Sequence, residues 1–192
     1  MFIYNWKKEI LTIPNMLSLL RLILIPVYVI IYLNASKPVD YIIAGGILSF
    51  SCLTDMIDGK IARQFNMMST VGQILDPIAD KLTQFTLMLC LSITYPVLRF
   101  VLLLFVVKEG FQGIVGLIYL QKGKILPGAL PAGKICTTVL FLSLIYMILV
   151  PDLNQLLVDV IAVADTAFLC YAMAHYFFAY FGENAQTRNM DP

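Results

Sequence analysis

Six long apolar stretches alternate with short polar breaks along this chain of 192 residues. They fall at about 16–33, 41–63, 72–94, 97–120 and 133–150, and a sixth begins after Asn154. Each is close to the roughly 20 residues that a helix needs to cross a bilayer core of about 30 Å. The breaks at 34–40, 65–70, 95–96, 121–131 and 151–154 hold the residues that punctuate helices: Pro96, Gly123, Gly128, Pro131 and Pro151 among them. Ahead of the first stretch, Phe2, Ile3, Trp6, Ile10 and Leu11 mix with Lys7, Lys8 and Glu9. That mixture predicts a short helix lying in the headgroup layer, with Trp6 as its anchor. The pattern therefore predicts an all-α integral membrane protein: six transmembrane helices after a short N-terminal interfacial helix, in a single domain over 1–192.

Composition sharpens this picture. Hydrophobic residues make up 60% of the chain and charged residues 13%, about half the ~25% of a soluble domain. A net charge of +1 gives no basic surface for nucleic acid. Cys52, Cys90, Cys136 and Cys170 stand singly in apolar sequence, so they read as core thiols, without the close pairing of zinc or redox sites. The apolar run behind the start is too long for a cleavable signal segment, and the first span is expected to be retained. Lys7, Lys8, Lys60, Arg63, Lys122, Lys124 and Arg188 fall on one side of the spans, against Lys37 and Arg99 on the other. The excess of basic residues places both termini in the cytoplasm and the protein in the cell membrane.

The exceptions to apolarity carry the chemistry. Asp55, Asp58, Asp76 and Asp80 lie within predicted spans, where an ionised side chain costs at least ~2.5 kcal/mol and marks a functional cavity. Asp55 and Asp58 are three apart and share a helix face; Asp76 and Asp80 are four apart and share another, with Pro77 expected in the first turn of its helix. Gly59 and Ala62 leave the first face uncrowded, so that a bulky ligand can approach the backbone. A hairpin that folds these helices together gathers four carboxylates. Oxygen donors without His or Cys select hard cations such as Mg²⁺ or Mn²⁺, and that many carboxylates can hold two. Mg²⁺ commonly completes its shell with phosphate oxygens, and Arg63 adds a cationic fork for them. The site reads as one for a diphosphate. Helix-to-helix polar contacts, or the ion path of a channel or carrier, are the competing readings; they leave Gly59, Ala62, Arg63 and Gly72 without a shared reason.

Asp55-Met-Ile-Asp58-Gly59-Lys-Ile-Ala62-Arg63, followed by Gly72-Gln-Ile-Leu-Asp76-Pro-Ile-Ala-Asp80, resembles the signature of the CDP-alcohol phosphotransferases at every fixed position. The resemblance runs from Ile13-Pro14-Asn15-x-Leu17-Ser18-x-x-Arg21 to Gly133-Lys134, about residues 13 to 138, and is strongest to members that make phosphatidylglycerophosphate or cardiolipin. It implies a six-helix membrane enzyme, commonly a homodimer, with a two-metal site open to the cytoplasm. By the family pattern Asp55, Asp58, Asp76 and Asp80 ligate metal, and Asp80 is the general base. Gly59, Ala62, Arg63, Ser69 and Gly72 would surround the CDP group of CDP-diacylglycerol, with Asn15 and Arg21 lining the substrate cavity. The acceptor oxygen would attack the lipid-linked phosphorus as CMP departs.

The acceptor divides the family. Relatives that use glycerol 3-phosphate carry an Arg-Glu pair where this chain has Lys108-Glu109, another arginine where Gly116 stands, and often a second lysine after Gly133-Lys134, where Ile135 and Cys136 follow. Lys binds phosphate as a point charge, without the two-pronged geometry of Arg. Lys108 and Lys134 are the expected acceptor contacts for glycerol 3-phosphate; phosphatidylglycerol, whose glycerol end is uncharged, is the alternative acceptor. Lys108 and Glu109, adjacent and so expected to point apart on a helix, have a structural ion pair between helices as their other reading. Asp165 and His175 in the last span read as polar contacts in the bundle, and Gly110, Gly113 and Gly116 as points of close helix packing, in the bundle or at a dimer interface.

Overall fold

A computed structural model describes residues 13–64, 70–121, 131–150 and 152–181, with side chains at 15–51, 75–119, 121, 132–150 and 152–181. Among the described residues six helices follow one another: α1 Ile13–Leu33, α2 Pro38–Gln64, α3 Thr70–Thr94, α4 Leu98–Gln121, α5 Pro131–Leu149 and α6 Gln155–Phe181. They match the six predicted stretches. Residues 2–12, expected to hold the interfacial helix, lie outside the described residues. Among the described residues four segments are long and apolar enough to cross a membrane: Asn15–Leu33, Leu98–Tyr119, Ala132–Leu149 and Gln155–Phe181. In α2 the side chains are described as far as Ser51, and Pro38–Ser51 is apolar; Asp55, Asp58, Lys60 and Arg63 follow in its sequence, and α3 carries Asp76, Asp80 and Lys81. The two helices that hold the acidic motif are thus the less apolar ones, because the charges interrupt their apolar length.

The helices divide between two compact units. The first takes the chain up to Cys90 together with Ile145–Asp152. In it α1 and α2 form an antiparallel pair. The backbone N–H and side-chain Nδ2 of Asn34 both return to the carbonyl of Ile30, at 3.2 and 2.7 Å, and close the end of α1. Pro38 opens α2, where its missing N–H is no loss. Tyr28, Tyr32 and Tyr41 then pack in sequence, with ring centroids 5.7 and 5.4 Å apart. Gly45 lets the end of Leu149 come close to the α2 backbone: a Cβ there would stand 2.7 Å from Leu149 Cδ2, and the leucine would have to shift.

The start of α2 is capped by Asp40, whose Oδ2 accepts the N–H groups of Ser36 and Lys37, each at 2.9 Å. These backbone hydrogen bonds, first that of Ser36 and then that of Lys37, hold the exposed Asp40 carboxyl below the usual carboxylate range. A carboxylate depressed by folding stabilises fully above its unfolded value of about 4, and loses that contribution as pH falls through its folded value. Asp40→Ala is therefore expected to lower the melting temperature in detergent at pH 7, with the difference from the parent protein closing as the pH is taken well below 4; a pH-independent difference would contradict the cap.

The second unit comprises Leu91–Leu144 and the chain from Leu153 onward. Here α4 packs against α6. Asn154 caps α6 by accepting the Leu156 N–H at 3.1 Å. Asp152 takes the left-handed conformation, φ 61°, in the link before it, which an aspartate tolerates better than most side chains. The buried residues of α6 are Val158, Ala162, Asp165, Leu169, Ala172, Tyr176 and Tyr180, recurring every three or four positions as one helix face requires. Leu156, Val163, Phe177, Phe178 and Phe181 point outward, as expected where the surrounding solvent is lipid.

Candidate active site

The site in the first unit rests on a polar stripe in an otherwise apolar helix. Asn15, Ser18 and Arg21 follow at three-residue intervals on α1, and all three are buried. Asp76 and Asp80, one turn apart on α3, meet this stripe. The Ser18 hydroxyl donates to Asp76 Oδ1, and Arg21 Nη1 donates to Asp80 Oδ1 at 2.5 Å. Arg21 is 3% exposed while the Asp80 side chain is 46% exposed. The guanidinium is thus fixed within the protein, and the carboxylate reaches outward from it. A buried cation requires such a partner, because its lost hydration is otherwise uncompensated.

The structure therefore brings together Arg21, Asp76 and Asp80 from the expected site, with Asn15 on the same face of α1. It adds Ser18, which belongs to the α1 motif but had no assigned part; its signal was the three-residue spacing of Asn15, Ser18 and Arg21. Asp55, Asp58, Gly59, Ala62 and Arg63 lie in the last turns of α2 and Gly72 in the first turn of α3, while their side chains, and all of Ser69, lie outside the described residues. One expectation is corrected. Because α3 begins at Thr70, Pro77 sits inside the helix and not in its first turn. Its ring cannot donate to the carbonyl of residue 73, so the helix lacks one rung immediately before Asp80.

Among the described residues no three His, Cys, Asp or Glu side chains gather as a metal cluster. The donor chemistry on α3 nevertheless suits a hard cation. Asp76 and Asp80 offer only oxygen and share one face, the arrangement from which Mg²⁺ takes one or two carboxylates and leaves other positions to phosphate.

In the second unit Lys108 is 3% exposed and Glu109 19%, and Lys108 Nζ donates to Glu109 Oε1 at 2.6 Å. The pair thus forms within α4 itself. Neighbouring side chains leave a helix in different directions, but the flexible lysine stem curls back far enough to reach the carboxylate. The ammonium also lies 5.7 Å from the centroid of the Tyr176 ring. Lys134, by contrast, is exposed, in the first turn of α5. Asp165 is buried and accepts the Ser143 hydroxyl at 2.7 Å through Oδ2, and Oδ1 has no hydrogen bond among the described residues. His175 is exposed, with its ring against Tyr171. Nothing described lies within 4 Å of a Cβ built at Gly110 or Gly113, so no close packing is made at these two positions among the described residues of this chain.

Comparison with known proteins places this geometry. Residues 11–178 match the model of the CDP-alcohol phosphatidyltransferase family. A CDP-diacylglycerol–glycerol-3-phosphate 3-phosphatidyltransferase of Aquifex aeolicus is 36% identical over 142 residues, 70% of this chain and 74% of that one. A Mycobacterium bovis protein provisionally named a cardiolipin synthase is 44% identical over 84 residues, 42% of this chain and 37% of its own length. The cardiolipin synthase and mitochondrial hydrolase fusion protein of Schizosaccharomyces pombe is 39% identical over 88 residues, 45% of this chain and 13% of that one. The match therefore spans well under two thirds of the two cardiolipin-synthase relatives and about three quarters of the Aquifex protein. With a family match over almost the whole described chain, and the Ser18–Asp76 and Arg21–Asp80 contacts joining two of its motifs, the chain belongs to the CDP-alcohol phosphatidyltransferase family of enzymes.

Proposed function

We propose that this protein transfers the phosphatidyl group of CDP-diacylglycerol to glycerol 3-phosphate, forming phosphatidylglycerophosphate and CMP. The observation that carries the choice of acceptor is the extent of likeness: the glycerol-3-phosphate transferase name belongs to a relative matched over most of both chains, and the cardiolipin synthase names belong to relatives matched over less than half of this one. In this reading Asp80 takes the proton of the acceptor hydroxyl. The acceptor oxygen then bonds to the lipid-linked phosphorus, and the bond from that phosphorus to the CMP oxygen breaks. Arg21 holds the Asp80 carboxylate in place, and Ser18 does the same for Asp76. Asp55, Asp58, Asp76 and Asp80 would hold two Mg²⁺ or Mn²⁺ ions, with Gly59, Ala62, Arg63, Ser69 and Gly72 around the CDP group. Held by these carboxylates, such ions would supply charge neutralisation for the diphosphate and its CMP leaving group. Asn15, Lys108 and Lys134 would serve the substrates. The active site and both termini face the cytoplasm, and the enzyme works as a homodimer.

A second reading has its own observation. The Lys108 ammonium is already paired with Glu109, which reduces its attraction for a phosphate dianion and favours phosphatidylglycerol, giving cardiolipin. Purified protein with Mg²⁺ and CDP-diacylglycerol, offered each acceptor separately and analysed by lipid mass spectrometry, separates the two. Phosphatidylglycerophosphate together with CMP is expected. Cardiolipin from phosphatidylglycerol, with no product from glycerol 3-phosphate, would reverse the choice.

A further inference from the structure

The two lysines assigned to the acceptor lie on different helices, Lys108 on α4 and Lys134 on α5, and no motif connects them. One side chain of α6 touches both neighbourhoods. The Tyr176 ring lies 5.7 Å from Lys108 Nζ, and the same ring presses on Gly133, the residue before Lys134. A Cβ built at Gly133 would stand 2.8 Å from Tyr176 Cε2 and 2.9 Å from Cζ, closer than side chains come, and would meet the Tyr176 hydroxyl as well. Only a glycine permits this approach of the α5 backbone to the ring.

Tyr176 is itself held on its remaining side. It is 4% exposed and stacks on Tyr180 with centroids 6.0 Å apart and planes 21° from parallel. Tyr180 packs on Tyr119 at 5.4 Å, and the Tyr119 hydroxyl donates to the Tyr180 carbonyl at 2.9 Å. Neither Tyr176 nor the face it occupies is needed to explain the acidic site on α1 and α3. The aromatic column joins α4 to α6 and ends at the lysine.

We infer that Tyr176 is the positioning residue of the acceptor site, fixing the Lys108 ammonium through its ring and the Gly133-Lys134 turn through its contact with the α5 backbone. The inference rests on the proposal that these lysines meet the acceptor phosphate. A buried ammonium has lost its water, and two groups compensate it here: the Glu109 carboxylate and the electron-rich ring face. Glu109 occupies one of the three N–H donors of the ammonium, and the ring restricts where the others point. Without the ring, Lys108 regains the freedom of its flexible stem, and the first turn of α5 loses the surface on which it rests. The consequence is a weaker grip on the acceptor with unchanged handling of the nucleotide lipid.

The test is steady-state kinetics of the purified full-length protein with glycerol 3-phosphate and CDP-diacylglycerol varied in turn. Tyr176→Leu is expected to raise KM for glycerol 3-phosphate about tenfold, the size of a lost cation–ring contact of ~1–2 kcal/mol, while KM for CDP-diacylglycerol stays within about twofold of the parent value. Tyr176→Phe, which keeps the ring, should restore near-parental KM. Gly133→Ala approaches the same contact from the other side. Alone it should displace the ring and raise KM for glycerol 3-phosphate; combined with Tyr176→Leu, which makes room for the new methyl, it should add little. Equal loss toward both substrates, a fall in kcat with both KM values unchanged, or simple additivity of Gly133→Ala and Tyr176→Leu would each overturn the inference. Should Tyr176→Leu not fold, Gly133→Ala with Tyr176→Phe decides it by the same KM comparison. Parent protein that makes no phosphatidylglycerophosphate at all refutes the acceptor proposal instead, an outcome distinct from a failure of Tyr176.

Discussion

Asp80→Asn is expected to abolish phosphatidyl transfer while leaving a folded, monodisperse membrane protein, with turnover falling by roughly 10²–10⁴-fold, the usual loss for a general base. The substitution changes little in shape. The carbonyl oxygen of the introduced amide can still accept the Arg21 hydrogen bond that Asp80 Oδ1 accepts at 2.5 Å, so the helix contact persists. An amide cannot take up the acceptor proton, however, and it lacks the negative charge that a metal requires. The Arg21 cation, 3% exposed, would lose the Asp80 charge beside it, and some loss of thermal stability should accompany the loss of turnover. Size-exclusion behaviour and melting temperature distinguish this from collapse. Parental turnover in a folded Asp80→Asn protein would remove Asp80 as the base and leave it only the task of holding Arg21.

Removal of divalent cations should have an equally large effect. Exhaustive chelation of purified protein is expected to take CMP release to background, and added Mg²⁺ or Mn²⁺ to restore it. The diphosphate and the aspartates repel one another unless cations lie between them, and an all-oxygen donor set takes hard ions. Restoration by the added ion distinguishes metal loss from damage to the protein. Full CMP release after thorough chelation would sink the two-metal mechanism and return the aspartates to a structural or ion-path role.

Much of the fold was legible because lipid as solvent imposes simple rules. A spanning segment must be helical, long and apolar, so the six apolar runs became six helices with ends close to those expected. The pairing of carboxylates on helix faces followed likewise from the 3.6-residue repeat. Details that depend on where a helix begins were less secure. Pro77 was expected in a first turn, but α3 starts at Thr70 and places it inside the helix. That Lys108 pairs with Glu109 within α4 was not legible for a different reason: the two side chains leave the helix in different directions, and only the long, flexible lysine stem lets the ammonium return to its neighbour.

By itself the sequence determined the class of molecule and the motif it carries: a protein of long apolar helices, from local hydropathy, and the acidic motif of its family, from the kinds and spacing of residues within single helices. Both are local properties, encoded within a few turns of chain. Tertiary structure decided which groups meet across helices. It joined Ser18 to Asp76 and Arg21 to Asp80, across 58 and 59 residues of chain. It also set Tyr176 between Lys108 and Gly133, 68 and 43 positions away in sequence. Such contacts are fixed by how helix faces pack on one another, and no repeat or spacing within one helix records them.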